Sequence, residues 1–154
     1  MRLRETVEIV AAPHEVWPFI VDPVLQAGWN PKVISVDRAT DGPVALGERF
    51  QMIYRMSSKD QLSNVEVIEL VPDERLTMRH TVSAHGAEHT VTEAYDLHAS
   101  GDSTRLTQTL DLSQTGLPWP IRLLIGFITR FGKPVNTPYL DRLKAMIESD
   151  LGSN

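Results

Sequence analysis

The sequence predicts an α+β fold: a curved antiparallel sheet of about seven strands wrapped around one long C-terminal helix, with two short helices after the first strand. Three observations carry this. Period-two alternation of apolar and polar residues persists for about eighty residues beyond Trp29-Asn30-Pro31. From Trp119 onward apolar residues recur instead at three- and four-residue steps, the period of a helix. Between these regions and the first strand lie two short apolar stretches, each opened by a proline.

The elements follow in order. Residues 3–11 alternate, with Leu3, Val7, Ile9 and Ala11 on one face and Arg4, Thr6 and Glu8 opposite. Pro13 opens a short helix with Val16, Trp17, Phe19 and Ile20 as its apolar residues. Asp22-Pro23 caps and opens a second, which Gly28 is expected to stop. The breaks between them are expected at Pro18 and at Val21-Asp22-Pro23. Val33 to Arg38 reads as a strand, then an Asp41-Gly42-Pro43 turn and an alternating run from Gly47 to Met56. Val65 to Val71 follows, stopped by Pro72-Asp73-Glu74. Leu76, Met78, His80 and Val82 share the next face, and His85-Gly86 fits a two-residue hairpin loop with glycine supplying positive φ. His89, Val91, Glu93, Tyr95 and Leu97 line the returning strand. Gly101-Asp102 then turns the chain into Leu106, Gln108, Leu110 and Leu112. Ile121, Leu124, Ile125, Ile128, Leu140, Leu143 and Ile147 carry the helical period, with a bend or break expected between Gly132 and Thr137 from Pro134 and Pro138.

Composition bounds the function. The 154 residues suit one domain, residues 1–154, large enough to fold without a disulfide or metal staple. Cysteine is absent, which excludes disulfide frameworks, thiolate metal sites, iron–sulfur clusters and thiol nucleophiles. A net charge of −5 argues against general nucleic-acid binding. The N-terminal residues lack a secretory apolar region, and Leu117 to Phe131 is too short and too interrupted to span a membrane, so a cytoplasmic location is expected. Phosphate-binding glycine loops, dinucleotide fingerprints and serine-nucleophile elbows are missing from the sequence.

Several local patterns resemble the START-like, helix-grip superfamily (SRPBCC), which includes polyketide cyclase/dehydrase-type proteins and lipid-transfer domains. Ala12-Pro13-His14-Glu15-Val16-Trp17, Asp22-Pro23 and Trp29-Asn30-Pro31 are similar to its opening. Glu69-Leu70-Val71-Pro72-Asp73-Glu74-Arg75-Leu76 is similar to its mid-chain turn, and Leu140-Asp141-Arg142-Leu143-Lys144 to its last helix. The resemblance covers roughly residues 3 to 149. It implies an internal apolar cavity between sheet and long helix that holds a hydrophobic small molecule, with the region of Trp29 near its mouth. Ala12 stands where the family usually has a hydroxyl or acidic cap, a loss of about 1 kcal/mol.

Within that frame the informative residues are polar ones on otherwise apolar strand faces. If His85-Gly86 is the loop, Ala84 faces Ala87, Val82 faces His89, His80 faces Val91 and Met78 faces Glu93. His80 and Glu93 are then diagonal neighbours about 7–8 Å apart at the backbone. His89 is the other diagonal neighbour of His80, and Gln108 joins from the next strand. Such a carboxylate–imidazole pair can transfer a proton in a water-poor pocket, or simply anchor the polar end of a ligand. His85-Gly86-Ala87-Glu88-His89 also spells the inverted zinc-protease signature, which requires a helix; on a hairpin it holds no metal. No cofactor or metal is expected.

Trp29, Phe50, Met52, Tyr54, Met78, His80, Val91, Glu93, Tyr95, Gln108, Leu124 and Ile128 are the candidate ligand-lining residues, with Glu93 and His80 the candidate catalytic pair. The apolar arc of Leu117 to Phe131 is wider than one sheet-facing side requires. Its outlets are cavity wall, homodimer contact or, with Trp119 and the stripe Arg122, Arg130 and Lys133, a transient membrane-surface contact. The leading functional expectation is binding or transport of a lipid, quinone or polyketide-like aromatic. The alternatives are a cyclase or dehydratase using Glu93 and His80, and a protein-interaction module of the Hsp90-activator type.

Overall fold

In the computed structural model, residues 2–56, 59–84, 86–113 and 138–152 are described. The chain forms β1 (Arg2–Ile9), α1 (Pro13–Val21), α2 (Pro23–Trp29), β2 (Val33–Asp37), β3 (Arg49–Met56), β4 (Lys59–Val71), β5 (Arg75–Ala84), β6 (Ala87–Ser100), β7 (Ser103–Asp111) and α3 (Pro138–Gly152). The seven strands make one curved antiparallel sheet in the order β1-β7-β6-β5-β4-β3-β2. From β2 to β7 each strand pairs with its sequence neighbour, and β1 then closes onto β7. The helices pack over one face, α1 against β6 and β7, α2 against β2, and α3 against β1, α1 and α2.

Alternation divides the sheet. Ile9, Phe50, Met52, Val65, Val67, Leu76, Met78, Tyr95, Leu97 and Leu106 point to the helix-covered, concave face and are buried with Val16, Ile20, Trp29, Leu143 and Ile147. The convex face carries ion pairs instead: Arg2 with Asp111, Arg105 with Glu8, Arg55 with Asp60, and Arg75 with both Glu69 and Asp96.

The hairpins close as their turn residues require. Ala84 pairs with Ala87, and Gly86 has φ of +77°, which glycine adopts without a Cβ penalty. Asp73, in the Pro72-Asp73-Glu74 turn, takes φ of +64°, a conformation that Asp tolerates better than most residues.

Three local expectations need correction. Pro18 lies inside α1 and does not break it. The proline removes the hydrogen bond to His14, but both residues are exposed, so the freed carbonyl faces solvent. Gly28 does not stop α2, which continues through Trp29. The helix ends because Asn30 precedes Pro31 and is driven to extended angles, φ −101° and ψ 102°. β4 begins at Lys59 rather than Val65. Its first residues pair with β3 from Met56–Lys59 onward, but apart from the exposed Leu62 they are polar on both faces and leave no apolar period. β4 also carries a bulge between Val67 and Glu69, which returns Leu70 to the same face as Leu76. The expected bend between Gly132 and Thr137 lies outside the described residues, as do Leu117 to Phe131 and His85.

Helix ends follow the expected chemistry. The Asp22 carboxylate accepts the Val24 N–H at 2.9 Å. Ala12 offers no side-chain cap, but its own N–H donates to the Glu15 carboxylate at 2.8 Å. α3 ties itself to β1: the Val10 N–H donates to Glu148 at 2.8 Å, and Lys144 donates to the Glu8 carbonyl. Leu143 is 0% exposed at the centre of α3's buried stripe. Leu143→Ala is therefore expected to cost about 2–5 kcal/mol in urea denaturation. A loss below about 1 kcal/mol would mean that α3 does not anchor the core.

Candidate functional site

The concave face of β4 to β7 holds a cluster of polar side chains in an otherwise apolar surface. The β5–β6 register pairs Val82 with His89, His80 with Val91 and Met78 with Glu93, as the hairpin reading requires. His80 and Glu93 therefore share a face as diagonal neighbours, and their side chains meet: His80 Nε2 lies 2.9 Å from Glu93 Oε2. The other carboxylate oxygen, Oε1, accepts from the Tyr95 hydroxyl at 2.6 Å and from Gln108 Nε2 at 2.7 Å. Gln108 Nε2 also lies 3.2 Å from the Tyr95 hydroxyl oxygen. At the far side of the imidazole, His80 Nδ1 is 3.2 Å from Ser63 Oγ.

Each strand contributes through alternation. Ser63 of β4 pairs with Val82 of β5, His80 pairs with Val65, and Gln108 of β7 pairs with Tyr95 of β6. All five residues are buried; Glu93 retains 6% exposure and Ser63 1%. An ionised carboxylate at such a site requires hydrogen-bond donors, and Glu93 has three. Burial acts most strongly on this group and pushes its carboxyl up. Hydrogen bonding and charge from His80, with the Tyr95 hydroxyl and the Gln108 amide, outweigh it and hold Glu93 below the usual carboxylate range.

Apolar and aromatic groups surround the cluster. The Tyr54 ring meets the His80 ring edge-on, centroids 5.7 Å apart, and its hydroxyl lies 3.4 Å from Met52 Sδ. Trp29 packs edge-on against Tyr95 at 6.3 Å, and its indole N–H donates to the Phe19 carbonyl at 3.0 Å. Trp29 is 0% exposed, so it belongs to the core behind the cluster rather than to an exposed gate. Phe50, Met52 and Met78 are buried on the same face, whereas Tyr54 and Val91 are half-buried. His89 is half-buried opposite Val82, toward the hairpin end. Leu124 and Ile128 lie outside the described residues.

Sequence reading missed Ser63 and the bonding role of Tyr95. Ser63 alternates with Val65 and Val67, so a strand traced back to Lys59 would have placed it on the inner face. Tyr95 stands among the expected lining residues with no bonding partner assigned, although a buried tyrosine hydroxyl needs one and Glu93 is two residues away on the same face. Of the zinc signature, Gly86 lies in the turn and Ala87, Glu88 and His89 lie on β6, while His85 is outside the described residues.

A curved antiparallel sheet covered by helices, with one polar cluster on its inner face, defines a helix-grip protein. The chain belongs to the polyketide cyclase/dehydrase and lipid transport family, whose sequence profile matches residues 1–148. Solved structures share the fold at low identity. A Chromobacterium violaceum protein superposes with a TM-score of 0.69 at 18% identity, covering 96% of both chains. A Mesorhizobium loti protein gives 0.70 at 16% identity, covering 97% of this chain and 98% of its own. DynU16, from the dynemicin biosynthetic locus, gives 0.63 at 20% identity; 97% of this chain covers 48% of that longer one. No curated protein matches the sequence significantly. No helix among the described residues is long and apolar enough to cross a membrane.

The lowered pKa of Glu93 has a signed consequence. The folded group ionises more readily than the unfolded one, so it stabilises the fold fully above the unfolded carboxylate pKa. That contribution drains as the pH falls below about 4.3 and is gone once the pH passes the lowered folded value. Thermal melts of wild type and Glu93→Gln should therefore differ most near neutrality and converge in acid. Parallel curves over the whole range would show that the carboxylate is not held ionised by its neighbours.

Proposed function

We propose that this protein binds a hydrophobic small molecule against the concave face of its sheet, with the Ser63–His80–Glu93–Tyr95–Gln108 cluster holding the ligand's polar end. The observation that carries this reading is the placement of five hydrogen-bonded polar side chains within a surface otherwise lined by Phe50, Met52, Met78 and Val91. A core built only for stability gains little from such a cluster, because apolar groups of the same shape would serve about as well. A ligand site needs that combination: a large apolar area for affinity and a few fixed polar groups for orientation. The methionines suit a pocket that adapts to ligand shape. Membership of a family whose description spans cyclisation, dehydration and lipid transport supports the same class of ligand.

One observation favours a second reading, a cyclase or dehydratase. Ser63, His80 and Glu93 form a continuous chain in which the carboxylate fixes the imidazole from one side while its other nitrogen meets a hydroxyl. With three donors and a lowered pKa, Glu93 is a weak proton acceptor. In this reading His80 moves the proton to and from substrate, and Glu93 sets its tautomer and charge.

Native mass spectrometry of protein purified from its own host tests the binding reading. The expected result is an apolar adduct that dissociates on activation. Protein that is free of ligand and that also leaves the fluorescence of Nile red unchanged would overturn it. For the enzymatic reading, Glu93→Gln is expected to abolish turnover of an aromatic polyketide substrate while changing its affinity only a few-fold. Unchanged turnover would remove Glu93 from the chemistry.

A further inference from the structure

The hydrogen bonds of the cluster have directions, and those directions bear on the kind of polar end it takes. Glu93 is held ionised, so both of its oxygens only accept. Oε1 receives the Tyr95 hydroxyl and the Gln108 amide, and Oε2 faces His80 Nε2 at 2.9 Å. The proton in that last bond sits on the imidazole, because an ionised carboxylate has none to give. In the neutral ring this leaves the lone pair on Nδ1. Nδ1 lies 3.2 Å from Ser63 Oγ, so the serine hydroxyl commits its single proton there. What Ser63 can then offer a ligand is its oxygen lone pairs, which accept a hydrogen bond and cannot donate one.

The serine end of the cluster is also the end a ligand meets first. At one end of the concave face Leu76, Tyr95 and the Trp29 ring packed on Tyr95 are wholly buried. Toward the β3–β4 and β5–β6 hairpins the same face carries Tyr54, Gln61, Val82, His89 and Val91, all half-buried. Ser63 and His80 stand on that side: Ser63 pairs with Met52 and Val82, and His80 pairs with Val91. The half-buried Tyr54 meets the His80 ring edge-on at 5.7 Å. Glu93 turns one oxygen the other way, to Tyr95 and Gln108. A ligand entering from the half-buried end reaches the serine hydroxyl and the imidazole before the carboxylate.

Resting on the binding reading above, we infer that the site selects apolar ligands ending in a hydrogen-bond donor, a phenol or an alcohol, over the same skeletons ending in an ether or a carbonyl, with Ser63 Oγ as the accepting atom. An ether or carbonyl oxygen set against that atom would bring lone pair to lone pair and lose its water for no bond. A hydroxyl instead continues the chain. It donates to Ser63, Ser63 donates to His80, and His80 donates to Glu93, so every proton points toward the one ionised group. Bonds aligned head to tail in this way strengthen one another.

Displacement of Nile red at neutral pH by naphthol, methoxynaphthalene and acetylnaphthalene tests it. The three share a ring system, and only naphthol carries a donor. Wild type is expected to bind naphthol at least about fivefold tighter than either of the others. In folded Ser63→Ala that preference is expected to shrink several-fold, with the affinities of the two non-donors unchanged. Equal binding of the three by wild type would overturn the inference, as would a preference for the ketone, the mark of a serine proton directed at the ligand. A preference undiminished in Ser63→Ala would overturn it as well, since another atom would then be the acceptor. The wild-type comparison decides the matter even where the variant fails to fold. If the dye binds and none of the three displaces it, this inference falls and the binding reading stands. If the protein binds no dye and carries no apolar adduct, the binding reading itself falls, and this inference with it.

Discussion

An ionised carboxylate in a nearly dry interior is costly, and the strands that surround Glu93 are constrained by that cost. Its three donors come from β5, β6 and β7, and the residue behind His80 comes from β4. None of these strands can shift alone. A slip of one residue between β5 and β6 would turn either His80 or Glu93 to the convex face and leave the other buried without its partner. The hairpin at Gly86 therefore bears on the cluster from a distance, because it sets the pairing from Ala84–Ala87 through Met78–Glu93.

The two faces of the sheet handle charge differently. On the convex face arginines and carboxylates meet in water, where each pair is worth little and the array mainly keeps the surface polar. On the concave face the five polar side chains of the cluster are each committed to a neighbour. Arg38 and Glu48 repeat that rule at the sheet's margin, where a bidentate pair closes the segment between β2 and β3 and lets Val44 reach the core.

The legibility of this protein follows the strength of its periodic signals. Strand alternation is regular from Leu76 to Leu112, and it places His80, Glu93 and Gln108 on one face. The hairpin could be read because glycine at its loop position has a specific backbone reason. The misreadings have equally specific causes. Polar residues on both faces of β4's first half gave no period, which hid Ser63. Pro18 was read as a breaker, although on an exposed face of a short helix it costs one bond to a solvated carbonyl. Gly28 looked like a stop, whereas the residue before Pro31 supplied it. Side-chain convergence was out of reach: alternation gives the face, but whether Tyr95 turns its hydroxyl onto Glu93 depends on rotamers and packing.

The tie between the chain's two ends has a consequence for the order in which the fold can assemble. β1 pairs with β7, Arg2 opposite Asp111, so the first strand finds its partner only after about a hundred further residues exist. During synthesis β2 to β6 can zip by local hairpins while β1 waits unpaired. Its outward residues Arg2, Arg4, Thr6 and Glu8 suit that interval, since charged, polar side chains discourage a waiting strand from pairing with another chain. α3 forms after β7 and takes up the groups at the strand's C-terminal end, with Lys144 on the Glu8 carbonyl and Glu148 on the Val10 N–H. The cluster at Glu93 shares that timing. Gln108 joins it only with β7, so the interior carboxylate gains its last donor when the sheet is nearly complete.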